Sequence, residues 1–305
     1  MSSNSEKRGF ELRGAMTALV TPFRGGPVDL ATLDKLVDRQ VEGGTDWVVP
    51  CGTTGESPTL SHDEHDKVIE AVLARVAGRC GVLAGTGSNS TAEAIRLTKH
   101  AQAAGVDAAM LVAPYYNRPN AEGLYRHFAA VADATDLPLV LYNVPGRTAV
   151  AIPNSVVVRL REAYPHIVAI KHATGSVSGV TELLGECDIV VLSGDDSLTW
   201  PLMALGAVGV VSVLGNLLPE LMKSLVEAAL AGDARVALEH HRRVHDLAEG
   251  IGAFGPNPLP IKTAMAMAGL IEEEFRLPLC PLPAKDRTGI DKVLRRATVL
   301  EPVER

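Results

Sequence analysis

Residues 138–173 read PLVLYNVPGRTAVAIPNSVVVRLREAYPHIVAIKHA, and this stretch decides the fold. Two short apolar runs, Leu139-Val140-Leu141 and Ile167-Val168-Ala169-Ile170, flank a helical pattern over 153–164 with Pro153 at its first turn. The runs are continuously apolar rather than alternating, as strands covered on both faces must be. The stretch therefore reads as a strand–helix–strand unit of a parallel sheet, and both runs end on polar residues, Tyr142-Asn143 and Lys171-His172.

The same alternation extends along the chain in both directions. Strands are predicted over 14–23, 46–52, 81–87, 108–116, 138–145, 167–173, 189–196 and 209–216. Helices are predicted over 29–44, 61–79, 91–105, 121–136, 153–164, 176–186, 198–206 and 219–232, with Asp29, Ser61 and Thr91 placed to cap and Pro219 in a first turn. Eight such units over roughly 220 residues predict an α/β fold, a (β/α)8 TIM barrel at 9–232, with a doubly wound open sheet as the alternative. Beyond 232 the strand signal stops; helical patterns over 233–250, 260–270 and 286–298 predict a small C-terminal helical domain, 233–305.

Of 305 residues 47% are hydrophobic, enough for one large domain. Lys and Arg number 29 against 36 Asp and Glu, and the net charge of −7 gives no reason to hold nucleic acid or an anionic membrane. A small-molecule partner is expected. Cys51, Cys80, Cys187 and Cys280 form no CxxC pair and are expected to be reduced thiols acting as small hydrophobes. Residues 1–8 are polar, and no later segment has the roughly eighteen unbroken apolar residues of a membrane span, so a cytoplasmic location is expected.

In a TIM barrel the reactive groups gather at the C-terminal ends of the strands. The polar residues there are Thr17 and Thr21, the turn Gly52-Thr53-Thr54-Gly55-Glu56-Ser57, Tyr115-Tyr116-Asn117, Tyr142-Asn143 with Arg147, Lys171-His172, and Ser193-Gly194-Asp195-Asp196. Lys171 follows four apolar residues, and an apolar surround disfavours the ammonium and frees the amine to attack a ketone. The alternative is a rim lysine paired with Asp195 or Asp196. Tyr142, on the adjacent strand, is placed to exchange protons at Lys171, with Thr53 and Tyr116 in series as a relay; each tyrosine taken alone also reads as a packed ring. The Gly-Thr-Thr-Gly turn offers N–H groups and hydroxyls to a carboxylate, or is an ordinary glycine turn. Arg147 suits a second carboxylate, or a surface ion pair.

Together, Gly52-Thr53-Thr54-Gly55-Glu56-Ser57, Pro114-Tyr115-Tyr116-Asn117, Tyr142-Asn143-Val144-Pro145 with Arg147-Thr148, Ile170-Lys171, Ser193-Gly194-Asp195-Asp196, Gly209-Val210-Val211-Ser212-Val213 and Pro256-Asn257-Pro258 resemble the dihydrodipicolinate synthase family, in order, over nearly the whole chain. The resemblance implies condensation of pyruvate with L-aspartate 4-semialdehyde toward diaminopimelate and lysine, without metal or cofactor. Lys171 would carry the pyruvate imine, Tyr142 would be general acid and base, and Thr53 and Tyr116 would complete the relay, Tyr116 in a neighbouring subunit's site. Thr54, Gly194 and the backbone of Val211 would serve substrate binding, with Arg147 on the second substrate's carboxylate. A homotetramer built from tight dimers is implied. So is an L-lysine inhibitor pocket of Pro58, His62, His65, Gly87, Asn89, Glu93 and Tyr115.

Sialic-acid lyases share the barrel, the lysine and the turn, but lack an arginine shortly after the Tyr-Asn-Val/Ile-Pro segment, so Arg147 favours the synthase. A silent barrel that binds a 2-oxo acid or lysine is the third reading. His172 stands where an acidic residue commonly follows the lysine, Gly146 where serine is common, and Ala149 where glycine is usual. His62 and His65 lie three apart, without the four-residue spacing of the HExxH zinc motif, and otherwise read as a solvated helix face. Gly85-Thr86-Gly87-Ser88-Asn89 lacks the Gly-Lys-Ser/Thr ending of a phosphate loop. Cys51, with no histidine placed to activate it, reads as a small buried residue.

Overall fold

The computed structural model describes residues 11–300. The polar residues 1–8, and the outer ends 9–10 and 301–305 of the two expected domains, lie outside the described residues. Strands β1 (Gly14–Ala18), β2 (Trp47–Val49), β3 (Gly81–Gly85), β4 (Ala108–Val112), β5 (Leu139–Asn143), β6 (Ile167–His172), β7 (Val190–Ser193) and β8 (Gly209–Ser212) close in sequence order into a parallel barrel. Closure removes the open-sheet alternative. At the seam Gly14 faces Gly209, and a Cβ on Gly209 would collide with the Gly14 backbone, so close approach of β8 to β1 needs glycine there.

Around the barrel run α1 (Leu30–Glu42), α2 (His62–Val76), α3 (Thr91–Ala104), α4 (Ala121–Ala132), α5 (Pro145–Thr148), α6 (Asn154–Ala163), α7 (Val177–Glu186), α8 (Thr199–Ala204) and α9 (Pro219–Leu230). Asp29 caps α1, and Ser61 caps α2 in a reciprocal capping box with Glu64. Thr91 does not cap: Ser90 holds that position, and the Thr91 hydroxyl pairs instead with Nδ1 of His127 at 2.9 Å. Pro153 likewise stands one residue before α6, at its cap position.

Several strands end earlier than predicted. Past Val49 and Val112 the chain leaves the ladder, because its next residues form turns: 53–59 folds into two short 3-10 segments with Glu56 left-handed at φ 52, and Tyr116 is left-handed at φ 72. The one-turn helix α5, unforeseen from the sequence, takes Pro145 to Thr148 out of the strand and brings Arg147 over the mouth.

Alternation along a strand sends successive side chains to opposite faces. Val140 and Tyr142 of β5 and Ala169 of β6 share the barrel interior with Met16, Trp47, Leu83, Met110, Leu192 and Val211. Leu139, Leu141, Ile170 and Val191 pack outward against the helices. Lys171, two residues after Ala169, is thereby turned inward at the top of the barrel.

The last helices are α10 (Ala234–Gly252), α11 (Leu259–Met267) and α12 (Ala284–Arg296). α10 packs along α9 and against the Asp196–Leu198 turn, with α11 and α12 beside it. Among the described residues no helix is long and apolar enough to cross a membrane.

Candidate active site

The register of β5 and β6 sets Tyr142 directly beside Lys171, and that of β6 and β7 sets Lys171 beside Leu192. Lys171 is 4% exposed, and its Nζ lies 4.2 Å from the centre of the Tyr142 ring. Among the described residues two lysines are buried this deeply. Lys262 is fully buried too, yet its ammonium is bound to the Glu56 carboxylate, whereas among the described residues Lys171 forms no ion pair. The rim-pair alternative therefore fails on geometry: Oδ2 of Asp196 accepts from the backbone N–H groups of Val213 and Leu214 at 3.0 and 2.8 Å. Burial raises the pKa of both Asp195 and Asp196, and the charge of Lys171 opposes this in each.

Gly194, on the turn after β7, leaves space for the lysine stem. A Cβ there would lie 3.1 Å from Cε of Lys171 and 2.5 Å from Cβ of Ala173. His172 faces outward from the same strand, buried, with its pKa lowered by burial and Nε2 3.2 Å from the Thr174 hydroxyl. An outward, neutral imidazole adds no charge beside the lysine.

Above the barrel a cavity of about 360 Å3 is lined by Thr53, Tyr142, Val144 and Arg147 at one end and by His62, Glu93 and Tyr115 at the other. Pro58, His65 and Gly87 also line it. Two of the candidate catalytic residues, Thr53 and Tyr142, and most of the candidate inhibitor pocket thus share one space. Lys171, Thr54, Val211, Gly194 and Asn89 stand outside its lining. Tyr116 does too: its ring is 89% exposed, and one chain by itself does not bring it into the cavity.

Thr54 is buried, and its hydroxyl accepts from Nδ2 of Asn257 at 2.8 Å. The carbonyl of the same Asn257 accepts from Nη2 of Arg147 at 2.9 Å. One residue between α10 and α11 therefore ties the threonine turn to the arginine. Arg147 forms no ion pair among the described residues, contrary to the surface-pair alternative, so the rest of its guanidinium fork is available to a carboxylate. Ala149, which ends α5 where glycine is usual, sits at φ 58. A left-handed alanine stores roughly 1 kcal/mol of strain.

The two histidines do not share one solvated face. His62 is exposed and its Nε2 lies 2.7 Å from Glu93, whose other oxygen accepts from the Ser88 hydroxyl. These bonds, Ser88 first, hold the Glu93 carboxyl below its ordinary range. His65 is buried, and burial lowers its pKa; its Nε2 donates to the Gly85 carbonyl at 2.9 Å. The carbonyl of Asn89 accepts from Asn117, beside Tyr116. Cys51 is buried, with its thiol pKa raised by burial, but Cys280 is exposed and is not the small core hydrophobe expected.

The sequence reading did not single out Glu56 with Lys262, nor the contacts of Asn257. The proline-flanked Asn257 and a lysine set among apolar residues of α11 were the available signals.

The model of the dihydrodipicolinate synthetase family matches residues 11–297. A 4-hydroxy-tetrahydrodipicolinate synthase of Pelobacter propionicus is 51% identical over 285 residues, 93% of this chain and 98% of that protein. The dihydrodipicolinate synthase of Acinetobacter baumannii, solved chloride-inhibited and complexed with pyruvate, superposes with a TM-score of 0.92 at 44% identity, covering 95% of this chain and 100% of that one. The enzyme of Cyanidioschyzon merolae with lysine bound gives a TM-score of 0.91 at 38% identity, covering 94% and 99%. A chain matched over nearly its full length by the family's model, and half identical to one of its members, belongs to the dihydrodipicolinate synthetase family.

Proposed function

We propose that this chain is a Schiff-base lyase that condenses pyruvate with L-aspartate 4-semialdehyde, without metal or cofactor. The observation that carries the reading is the unpaired, buried Lys171 amine against the Tyr142 ring. The neutral amine adds to the keto carbon of pyruvate; the carbinolamine loses water, and the protonated imine makes the methyl group acidic. Loss of a methyl proton gives an enamine, whose carbon bonds to the aldehyde carbon of the second substrate while the carbonyl π bond opens, its oxygen takes up a proton and the iminium returns; attack on that iminium by the adduct's own amino group then frees the Lys171 amine. Tyr142, whose ring centre lies 4.2 Å from the amine, carries a hydroxyl to pass these protons, and Thr53 lines the same cavity.

The pyruvate carboxylate is assigned to Thr53, Thr54 and the backbone near Val211, beside Gly194. The carboxylate of the semialdehyde is assigned to Arg147, whose unpaired donors favour this over a sialate-type lyase. Tyr116, exposed and left-handed, suits a contact with a second copy of the chain, in a homotetramer of tight dimers. L-Lysine is assigned to the far end of the cavity, with its ammonium groups toward Glu93 and His62 and its carboxylate toward Asn89 and Tyr115. A cytoplasmic setting fits this chemistry.

The test is a coupled assay with pyruvate and L-aspartate 4-semialdehyde, with the downstream reductase added. Turnover that Arg147→Ala lowers while imine formation with pyruvate persists supports the synthase. Turnover of a sugar acid instead sinks it, and activity unaltered by millimolar L-lysine removes the inhibitor site.

A further inference from the structure

Glu56 closes the Gly-Thr-Thr-Gly turn in a left-handed conformation, and its side chain is fully buried. One carboxylate oxygen lies 2.5 Å from the ammonium of Lys262 on α11, and the other accepts from the backbone N–H of Arg276 at 3.2 Å. The Lys262 ammonium also donates to the Glu274 carbonyl at 2.7 Å, between the rings of Phe23 and Phe275 at 4.4 and 5.0 Å. Burial opposes that ammonium, and Glu56 is the foremost group that offsets it. Nearby, the Glu274 carboxylate accepts from the N–H groups of Gly25 and Gly26, and the Arg276 guanidinium binds the Glu64 carboxylate through both terminal nitrogens.

The C-terminal region is thus fastened to the loops after β1 and β2, and its deepest bond falls on the substrate turn itself. A buried ion pair is a poor source of stability, since an apolar pair of similar volume does as well or better. What charge adds is a fixed distance and direction for the groups it joins. Glu56 is two residues from Thr54 and three from Thr53, within one tight turn. Freed from Lys262, Glu56 would keep only the Arg276 N–H and the turn's own backbone hydrogen bonds, a looser hold on the residues that carry the two hydroxyls.

We propose that Glu56 and Lys262 are positioning residues, a buried pair that holds Thr53 and Thr54 where the carboxylate of pyruvate must sit. The proposal rests on the assignment of that turn to pyruvate. It makes pyruvate affinity, rather than the chemistry at Lys171, depend on a bond more than 200 residues distant in sequence.

Two variants test it. Glu56→Asp keeps the charge and shortens the reach, and Glu56→Gln with Lys262→Met removes both charges and strands neither. Expected in each is a pyruvate KM raised about tenfold, the effect of one lost positioning hydrogen bond. kcat and borohydride trapping at saturating pyruvate should stay near the parent's. Glu64→Gln, which breaks the neighbouring pair outside the turn, should lower the melting temperature and leave the pyruvate KM alone. An unchanged pyruvate KM in whichever of the two variants folds, or an equal rise in Glu64→Gln, overturns the proposal. If the unaltered chain forms no imine, it is the functional reading that fails, and the parent measurement shows this before any variant is made.

Discussion

The side-chain amide of Asn257 donates to the hydroxyl of Thr54 at 2.8 Å across 203 residues of chain, while its carbonyl holds Arg147. The two groups assigned to the two substrates thus share one anchor. Asn257→Ala removes the amide but keeps the backbone bond, so it acts first on Thr54. Steady-state kinetics should show the pyruvate KM raised about five- to tenfold, the equivalent of one hydrogen bond of about 1 kcal/mol. The semialdehyde KM should move less. A larger rise for the semialdehyde than for pyruvate would contradict the coupling.

Gly194 is glycine because Lys171 passes beside it. In Gly194→Ala the new methyl meets Ala173 and the lysine stem, and the backbone carbonyl of His172 closes the third side. The amine must turn from its place, and a misplacement on the order of 1 Å costs about a hundredfold in rate. Single-turnover imine formation should slow by about that factor while circular dichroism and melting temperature stay close to the parent's. Imine formation at the parent rate would show that the stem has room to move aside.

Arg147 offers a carboxylate the remaining donors of its fork. Arg147→Lys keeps the charge but loses the planar pair of hydrogen bonds, so the semialdehyde kcat/KM should fall about tenfold, against about a hundredfold for Arg147→Ala. Pyruvate KM should stay constant in both. Equal effects of the two variants would show that charge alone matters there.

Burial pushes His127 down to about 4 from 6.5. The unfolded chain takes up this proton below about pH 6.5 and the native state only near 4. Stability present above 6.5 is therefore lost as pH falls through that window, by roughly 1.4 kcal/mol per pH unit for one proton. His65 and His172, also shifted down by burial, act in the same sense. Glu64, held down to about 2 by Arg276, adds a second loss as pH falls from 4.5 toward 2. Urea midpoints should hold from pH 7.5 to about 6.5 and then fall down to pH 4.5, and His127→Asn should flatten that fall. A midpoint that rises on acidification would reverse the sign of this account.

The barrel was legible because strands covered on both faces carry unbroken apolar runs, and eight of them recur between helical patterns. The inward turn of Lys171 was legible for the same reason, since alternation from Ala169 settles it. Strand ends were overrun where the apolar runs were carried through Pro50 and Pro114 into turns whose left-handed residues, Glu56 and Tyr116, leave no mark on the apolar pattern. The one-turn helix of Pro145 to Thr148 is too short for periodicity to register. For Lys262 the one signal was its apolar neighbours on α11: a lysine in a helix otherwise reads as a surface residue, and its partner Glu56 is 206 residues away. Tyr116 shows the other limit: its side chain, expected at the site, is exposed and stands outside the cavity.

The central claim is that Lys171, and not the equally buried Lys262, is the amine that bonds to pyruvate. Borohydride reduction in the presence of pyruvate, followed by proteolysis and peptide mass spectrometry, tests it directly. The account predicts one reduced pyruvate per chain, on Lys171, and none in Lys171→Ala. An adduct on Lys262, or undiminished turnover by Lys171→Ala, would contradict it.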